Sequence, residues 1–146
     1  MSTRENKSIV RRYITEVVNT GDVENIASFI SEEYVEVHHN TRHVLGIEGA
    51  KRHIRGVREA YPDLQLSIEG QIAEGDWVVT QITARGTHRG LWLGMNPTGR
   101  TVAFAGVNIN RVVGGLIVEH AGAANLLEPL LEIGAIQVTD PVDDIS

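Results

Sequence analysis

The run Trp77-Val78-Val79-Thr80-Gln81-Ile82-Thr83-Ala84-Arg85-Gly86-Thr87-His88 carries the period of an extended strand. Val78, Thr80, Ile82, Ala84, Gly86 and His88 share one side, and Gln81, Thr83 and Arg85 the other, because successive strand side chains point to opposite faces. The first set is the more apolar. It faces a core, and the two-residue period carries His88 inward with it.

Strands of the same kind lie on both sides of this run. Upstream, Leu64, Leu66 and Ile68 alternate with polar residues, and Glu74-Gly75-Asp76 is the turn that joins the two. Downstream, a loop holding Gly90, Gly94, Asn96-Pro97 and Gly99 leads to a third strand, Thr101 to Val112. Gly114-Gly115 then makes a tight hairpin into a fourth, Leu116 to Ala121. On the third strand both faces are apolar, so parity leaves its orientation open. On the fourth, Leu116, Val118 and His120 share a face opposite Ile117 and Glu119, which turns His120 inward.

The first half of the chain has a helical period. Ser2 and Glu5 form a capping-box pair, followed at helical spacing by Ile9, Val10, Tyr13, Ile14, Val17 and Val18 up to a stop at Asn19-Thr20-Gly21. A short second helix is expected with Ile26, Phe29 and Ile30 on one face. A strand from Tyr34 to His39 follows, then a polar loop, then a helix through Ala50, Ile54, Val57 and Tyr61 that ends at Pro62-Asp63. Near the end, Asn125 and Glu128 frame a short helix closed by Gly134. Helices first and consecutive antiparallel strands afterwards make the class α+β.

With 146 residues, 42% of them hydrophobic and 22% charged, the chain is a globular domain able to bury one core. Its net charge of -6 argues against nucleic acid or an anionic membrane as partner. Lys51, Arg52, Arg55 and Arg58 do cluster, on a helix whose other face is apolar, and read as its solvated side. The absence of cysteine excludes disulfides, thiol nucleophiles and cysteine-based metal sites. The polar start and the lack of a long apolar run make the cytoplasm the expected compartment.

Ile9-Val10-Arg11-Arg12-Tyr13 with Asn19-Thr20-Gly21, Gly86-Thr87-His88-Arg89-Gly90 with Gly94-Met95-Asn96-Pro97-Thr98-Gly99-Arg100, Gly106-Val107-Asn108-Ile109-Asn110-Arg111, and Ile117-Val118-Glu119-His120 occur in this order. Through them the chain, from about Asn6 to Gly134, resembles the SnoaL-like polyketide cyclases of the nuclear-transport-factor-2-like, cystatin-like fold. The resemblance implies helices packed in a strongly curved, mostly antiparallel sheet, a cone with an apolar pocket. That domain would span 1–138, with an acidic tail at 139–146. The implied activity is of lyase or isomerase type in secondary-metabolite biosynthesis, with a polyketide as small-molecule partner and no cofactor. In the cyclases a buried carboxylate near the end of the last strand is the acid/base, and that position falls here on Gly122. An inward histidine of the third strand corresponds to Asn108, and an aspartate at the start of the last helix to Asn125. The resemblance also selects the face of the third strand with Val102, Phe104, Gly106, Asn108 and Asn110 as the inner one.

His120, His88 and Asn108 are therefore the candidate catalytic residues. A neutral histidine can remove an acidic α-proton near pH 7, and a second donor can hold the enolate oxygen. The competing reading makes the inward histidines satisfied core residues. Trp92, Phe104, Tyr13 and His39 are the candidate substrate contacts; Val35 and Val37 share the parity of His39, which favours it over His38. Trp77 is a weaker candidate than Trp92, which sits in the glycine-rich loop. Glu36 reads as exposed and Glu16 as solvated. No metal is expected, since His88 and His120 lack a third ligand. The function expected is a cofactor-independent cyclase or isomerase working by confinement and acid/base catalysis on a carbonyl-rich apolar metabolite. The alternative is a non-catalytic small-molecule-binding domain of the same fold. Outward Ala103, Ala105, Val107 and Ile109 suggest a homodimer.

Overall fold

Ser2 caps the first helix as its capping box requires: the Glu5 N–H donates to Ser2 Oγ at 3.1 Å, and the Ser2 hydroxyl donates to the Glu5 carboxylate at 3.1 Å. In the computed structural model, described over residues 1–139, this helix α1 runs Thr3–Tyr13 and continues as a π-helical turn, Ile14–Val18. Gly21 ends it at φ +74, and a Cβ there would stand 2.7 Å from Arg58 Cδ. The remaining elements are β1 Ile30–His38, β2 Thr41–Val44, α2 Gly46–Ala60, β3 Gln65–Glu74, β4 Trp77–Thr87, β5 Thr101–Val113, β6 Leu116–Ala124 and α3 Leu127–Glu132. The fold is α+β.

The six strands form one curved sheet in the order β2-β1-β6-β5-β4-β3. Every neighbouring pair is antiparallel except β1 and β6, which run parallel. Its inner face buries Val78, Thr80, Ile82 and Ala84 of β4 with Val102, Asn110 and Val112 of β5, the parity expected for both strands. Against them pack Val10, Ile14, Val17 and Ile54 of the helices. Each fully buried aliphatic side chain contributes about 1.5–3 kcal/mol, so this face holds the helices in the hollow of the sheet. The outer face leaves Val107, Ile109, Val113 and Ile72 exposed. Asp63 pins the end of β4: its carboxylate accepts from the Thr87 N–H and the Thr87 hydroxyl, both at 2.7 Å, and these bonds hold the carboxyl below its usual range.

Five expectations need correction. The short second helix is only a 3₁₀ turn, Ile26–Ser28, because Ile30 joins the sheet opposite Ile117 and the Ile117 N–H donates to Phe29 O. The polar loop after His38 contains β2, a fully exposed strand with no hydrophobic alternation to announce it. His39 and Asn40, both at positive φ, make the tight turn between β1 and β2. The inner face of β6 changes parity along its length. Ile117 is fully buried and pairs with Val112, the register shifts there, and His120 then pairs with Asn110 on the inner side. Finally, Arg58 is no solvated cation: its guanidinium donates to the carbonyls of Val18 at 3.1 Å, Leu64 at 2.9 Å and Pro62 at 2.6 Å. The acidic tail expected at 139–146 falls, from 140 onward, outside the described residues.

Candidate active site

The curved sheet and the helices enclose a cavity of about 660 Å³, within the size range of pockets for drug-sized ligands. Its walls are largely apolar: Ile14, Val18, Leu66, Ile82, Ala84 and Phe104 line it with Tyr13 and Tyr61. Residues 89–100 cross its mouth and add Leu91, Trp92 and Leu93. This loop is tied at its base, where the His88 N–H donates to Arg100 O at 2.9 Å and the Gly99 N–H to His88 O at 2.8 Å. Gly90 at its root lies so close to α2 that a Cβ would stand 2.2 Å from Glu59 O.

Polar groups gather on one part of the wall. Glu36 of β1 and His120 of β6 are direct partners across the parallel pair, and His120 Nδ1 hydrogen-bonds the Glu36 carboxylate. The Tyr34 hydroxyl donates to the other carboxylate oxygen at 2.8 Å. On the far side of the ring, His120 Nε2 lies 3.3 Å from Asn108 Oδ1. The side chains of His120 and Glu36 are 24% and 22% exposed, open to the cavity yet shielded by it. Burial alone raises the Glu36 carboxyl, but the hydrogen bond and charge of His120, with the Tyr34 hydroxyl, outweigh it and hold Glu36 below its ordinary value. Burial first, and the Glu36 charge second, push the Tyr13 and Tyr34 hydroxyls far above theirs, so both stay neutral donors.

This geometry sets the proton inventory of the ring. An ionised Glu36 only accepts, so Nδ1 carries a hydrogen toward it. The Asn108 carbonyl oxygen then suits an Nε2 that is also protonated, and a half-turn of the amide presents its NH₂ to an Nε2 that is not. Asn108 can follow the imidazole through both states.

Of the residues singled out in the sequence, His120, Asn108, Trp92, Phe104 and Tyr13 lie on the cavity wall. His88 points inward but not onto that wall: it is fully buried behind Tyr61 and Trp92, whose ring centroids lie 5.7 and 6.0 Å away. Its Nδ1 is 3.1 Å from Thr98 Oγ1, within the loop over the mouth. His39 is an exposed turn residue outside the lining, because Tyr34, Glu36 and His38 take the inner parity of β1. Trp77, at the far end of β4, is also outside it. Glu36 was the residue that sequence reasoning missed. Its signal was Tyr34: the large aromatic two positions earlier fixes the buried face of β1 better than the valines between them. Among the described residues no three His, Asp or Glu side chains are placed to hold a metal ion.

The position matched to the family carboxylate, Gly122, lies on β6 opposite Asn108. A Cβ there would stand 2.9 Å from Val107 O, 3.4 Å from Asn108 Oδ1 and 3.6 Å from His120 Cε1.

Comparison with known proteins follows the same lines. The chain is 28% identical over 130 residues to the aklanonic acid methyl ester cyclase DauD of Streptomyces sp. (strain C5), covering 86% of this chain and 80% of that one. It is equally similar, at 28% over 130 residues, to the aklanonic acid methyl ester cyclase DnrD of Streptomyces peucetius, covering 86% and 88%. Among solved structures it superposes on AclR of Streptomyces galilaeus, described as a candidate hydroxylase, with TM-score 0.81 and 29% identity over 93% of this chain and all of that one. Residues 8–133 match the profile of the SnoaL-like polyketide cyclases, and the chain belongs to that family.

Proposed function

We propose that the chain is a cofactor-independent cyclase that closes a ring in a carbonyl-rich, largely apolar polyketide, with His120 as its proton-transfer group. The observation that carries the reading is the Glu36–His120–Asn108 line on the wall of an apolar cavity. His120 Nε2 takes the acidic proton from a carbon flanked by carbonyls, while Glu36 accepts from Nδ1 and balances the charge that develops on the ring. The resulting enolate carbon attacks a ketone carbon of the same chain, forming a C–C bond as the C=O π bond becomes an alkoxide. Nε2–H then returns the proton to that oxygen, so the product is an isomer of the substrate. The apolar walls fold the flexible chain into a reactive conformer, itself a large rate contribution. On this reading the carboxylate missing at Gly122 is supplied one strand over, and acts through the imidazole rather than on the substrate.

The test is turnover of aklanonic acid methyl ester, the substrate for which the curated relatives are named, and of the corresponding free acid, followed by mass spectrometry. Ring closure gives a product of unchanged mass, formed at least about a hundredfold more slowly by His120→Ala. A product heavier by one oxygen would place the chain with hydroxylases, and binding without conversion would make it a binding domain; either result refutes the reading.

The outer sheet face supports a second, structural proposal. Ala103, Ala105, Val107 and Ile109 of β5 turn away from the cavity beside exposed Ile72 and Val113, and we propose that two copies pair through this face.

A further inference from the structure

Helix α2 leaves a notch, open space on the cavity lining at the exposed residue Gly56. Gly56 lies in the interior of Gly46–Ala60 and lines the cavity, and a Cβ added to it would meet nothing within 4 Å. Its backbone does not adopt positive φ, so the conformation has no need of glycine, and in a helix interior glycine is unfavourable beside alanine. At Gly90 the reason for glycine is plain, since Glu59 O excludes a side chain. Gly56 shares with Gly70 of β3 the lack of any such neighbour, but of the two it alone lines this cavity, where it leaves open space.

One turn earlier on the same face stands Arg52, exposed and also lining the cavity. No carboxylate of the described residues lies within ion-pair distance of its guanidinium. Its neighbour Lys51 pairs with Glu48, and Arg58, the other arginine of the lining, is held by three backbone carbonyls. His53, beside Arg52 on the lining, adds a ring N–H donor. The cations of the lining thus lie on α2, and among the described residues the one carboxylate of the lining, Glu36, is engaged with His120 and Tyr34.

We propose that Arg52 and the Gly56 notch form an anion subsite, and that the substrate of this chain carries a free carboxylate there while its ring-closing end reaches His120 and Asn108. The orientation of the substrate rests on the cyclase reading above; the subsite does not. A planar carboxylate takes two parallel N–H bonds from a guanidinium, which a methyl ester cannot match in charge. The relatives are named for a methyl ester, so the proposal separates this chain from them by substrate. On a protein of net charge -6, a cation on the cavity lining with no ion-pair partner among the described residues also favours an anionic ligand there.

The test is equilibrium binding by calorimetry of anthraquinone-2-carboxylate and of its methyl ester, neither of which turns over. The carboxylate should bind about tenfold tighter than the ester, the size of a partly exposed charge-assisted pair. Arg52→Gln should erase that ratio and leave the ester within twofold of its original affinity, and added salt should weaken only the acid. Gly56→Leu should weaken the carboxylate by filling the notch. Equal affinities in the parent chain, no carboxylate binding, or a preference that survives Arg52→Gln overturns the proposal. Because no turnover is needed, the two readings fail separately: a chain that selects the acid but closes no ring loses the cyclase function and keeps this subsite.

Discussion

Glu36 and His120 are register partners on the parallel pair β1–β6, 84 residues apart in sequence and in direct hydrogen-bond contact. If the pair is the proton-transfer device, the imidazole is the group that touches substrate. His120→Ala should cut kcat by at least about a hundredfold with affinity changed no more than a few-fold. His120→Asn, which stays polar but cannot serve as a base, should be nearly as damaging. Near-full activity in both variants would reduce the cavity to a shaping role.

Glu36 acts through His120 and should show itself by its own titration. Its carboxyl is held below the ordinary 4.5, so the folded state binds the proton less readily than the unfolded chain does. The stability it contributes is complete above that ordinary value and is lost as pH falls through the lower folded value. Denaturation curves of the parent and Glu36→Gln should therefore differ at neutral pH and converge in acid. A difference independent of pH would mean that Glu36 contributes packing rather than charge. In turnover, Glu36→Gln should lower kcat more than it raises KM.

Restoring a carboxylate at Gly122 should fail. The Cβ of Gly122→Asp would press on the Val107 carbonyl at 2.9 Å, a backbone atom that cannot swing away. Crowding of this kind costs about 1–3 kcal/mol, and thermal melting should fall by several degrees. Activity should not rise. A variant that is both as stable and more active would show that the site has room for the acid and that His120 is not its replacement.

The outer face can be tested by charge. Val107 and Ile109 are 38% and 37% exposed on β5, and a glutamate at either would sit in the middle of the proposed interface. Light scattering at micromolar concentration should give a dimer for the parent chain and a monomer for Ile109→Glu, with unchanged circular dichroism. A monomeric parent refutes the pairing.

β4 was legible because it has one apolar side: Val78 to Ala84 alternate with polar residues and fell on the inner face as read. On β5 both faces are apolar, and the family resemblance, not the pattern, selected the side of Val102 and Asn110 that is buried. β2 was not, since all four of its residues are exposed and a strand without a buried side has no period to detect. The site was legible in half. His120 was found although the reason given for it was incomplete: Ile117, placed on the opposite face, is buried, and a register shift after it restores His120 to the inside. Glu36 was misread because β1 carries polar residues on both sides, so Val35 and Val37 looked like a core face. The contact that gives Glu36 its character joins strands far apart in sequence, and no local pattern contains it.

The loop over the cavity mouth closes on itself, through the paired hydrogen bonds between His88 and residues 99 and 100, before its tip begins. Its ends therefore meet whatever lies between them, and the entropy of a longer tip grows only slowly with length. On the proposed function the sheet carries the chemistry, and the loop shapes the cavity through Leu91, Trp92 and Leu93. Such a division lets substrate scope evolve by exchange of a few residues at the tip while the reacting wall stays untouched. Grafting tips from relatives between Gly90 and Gly99 is the corresponding engineering route.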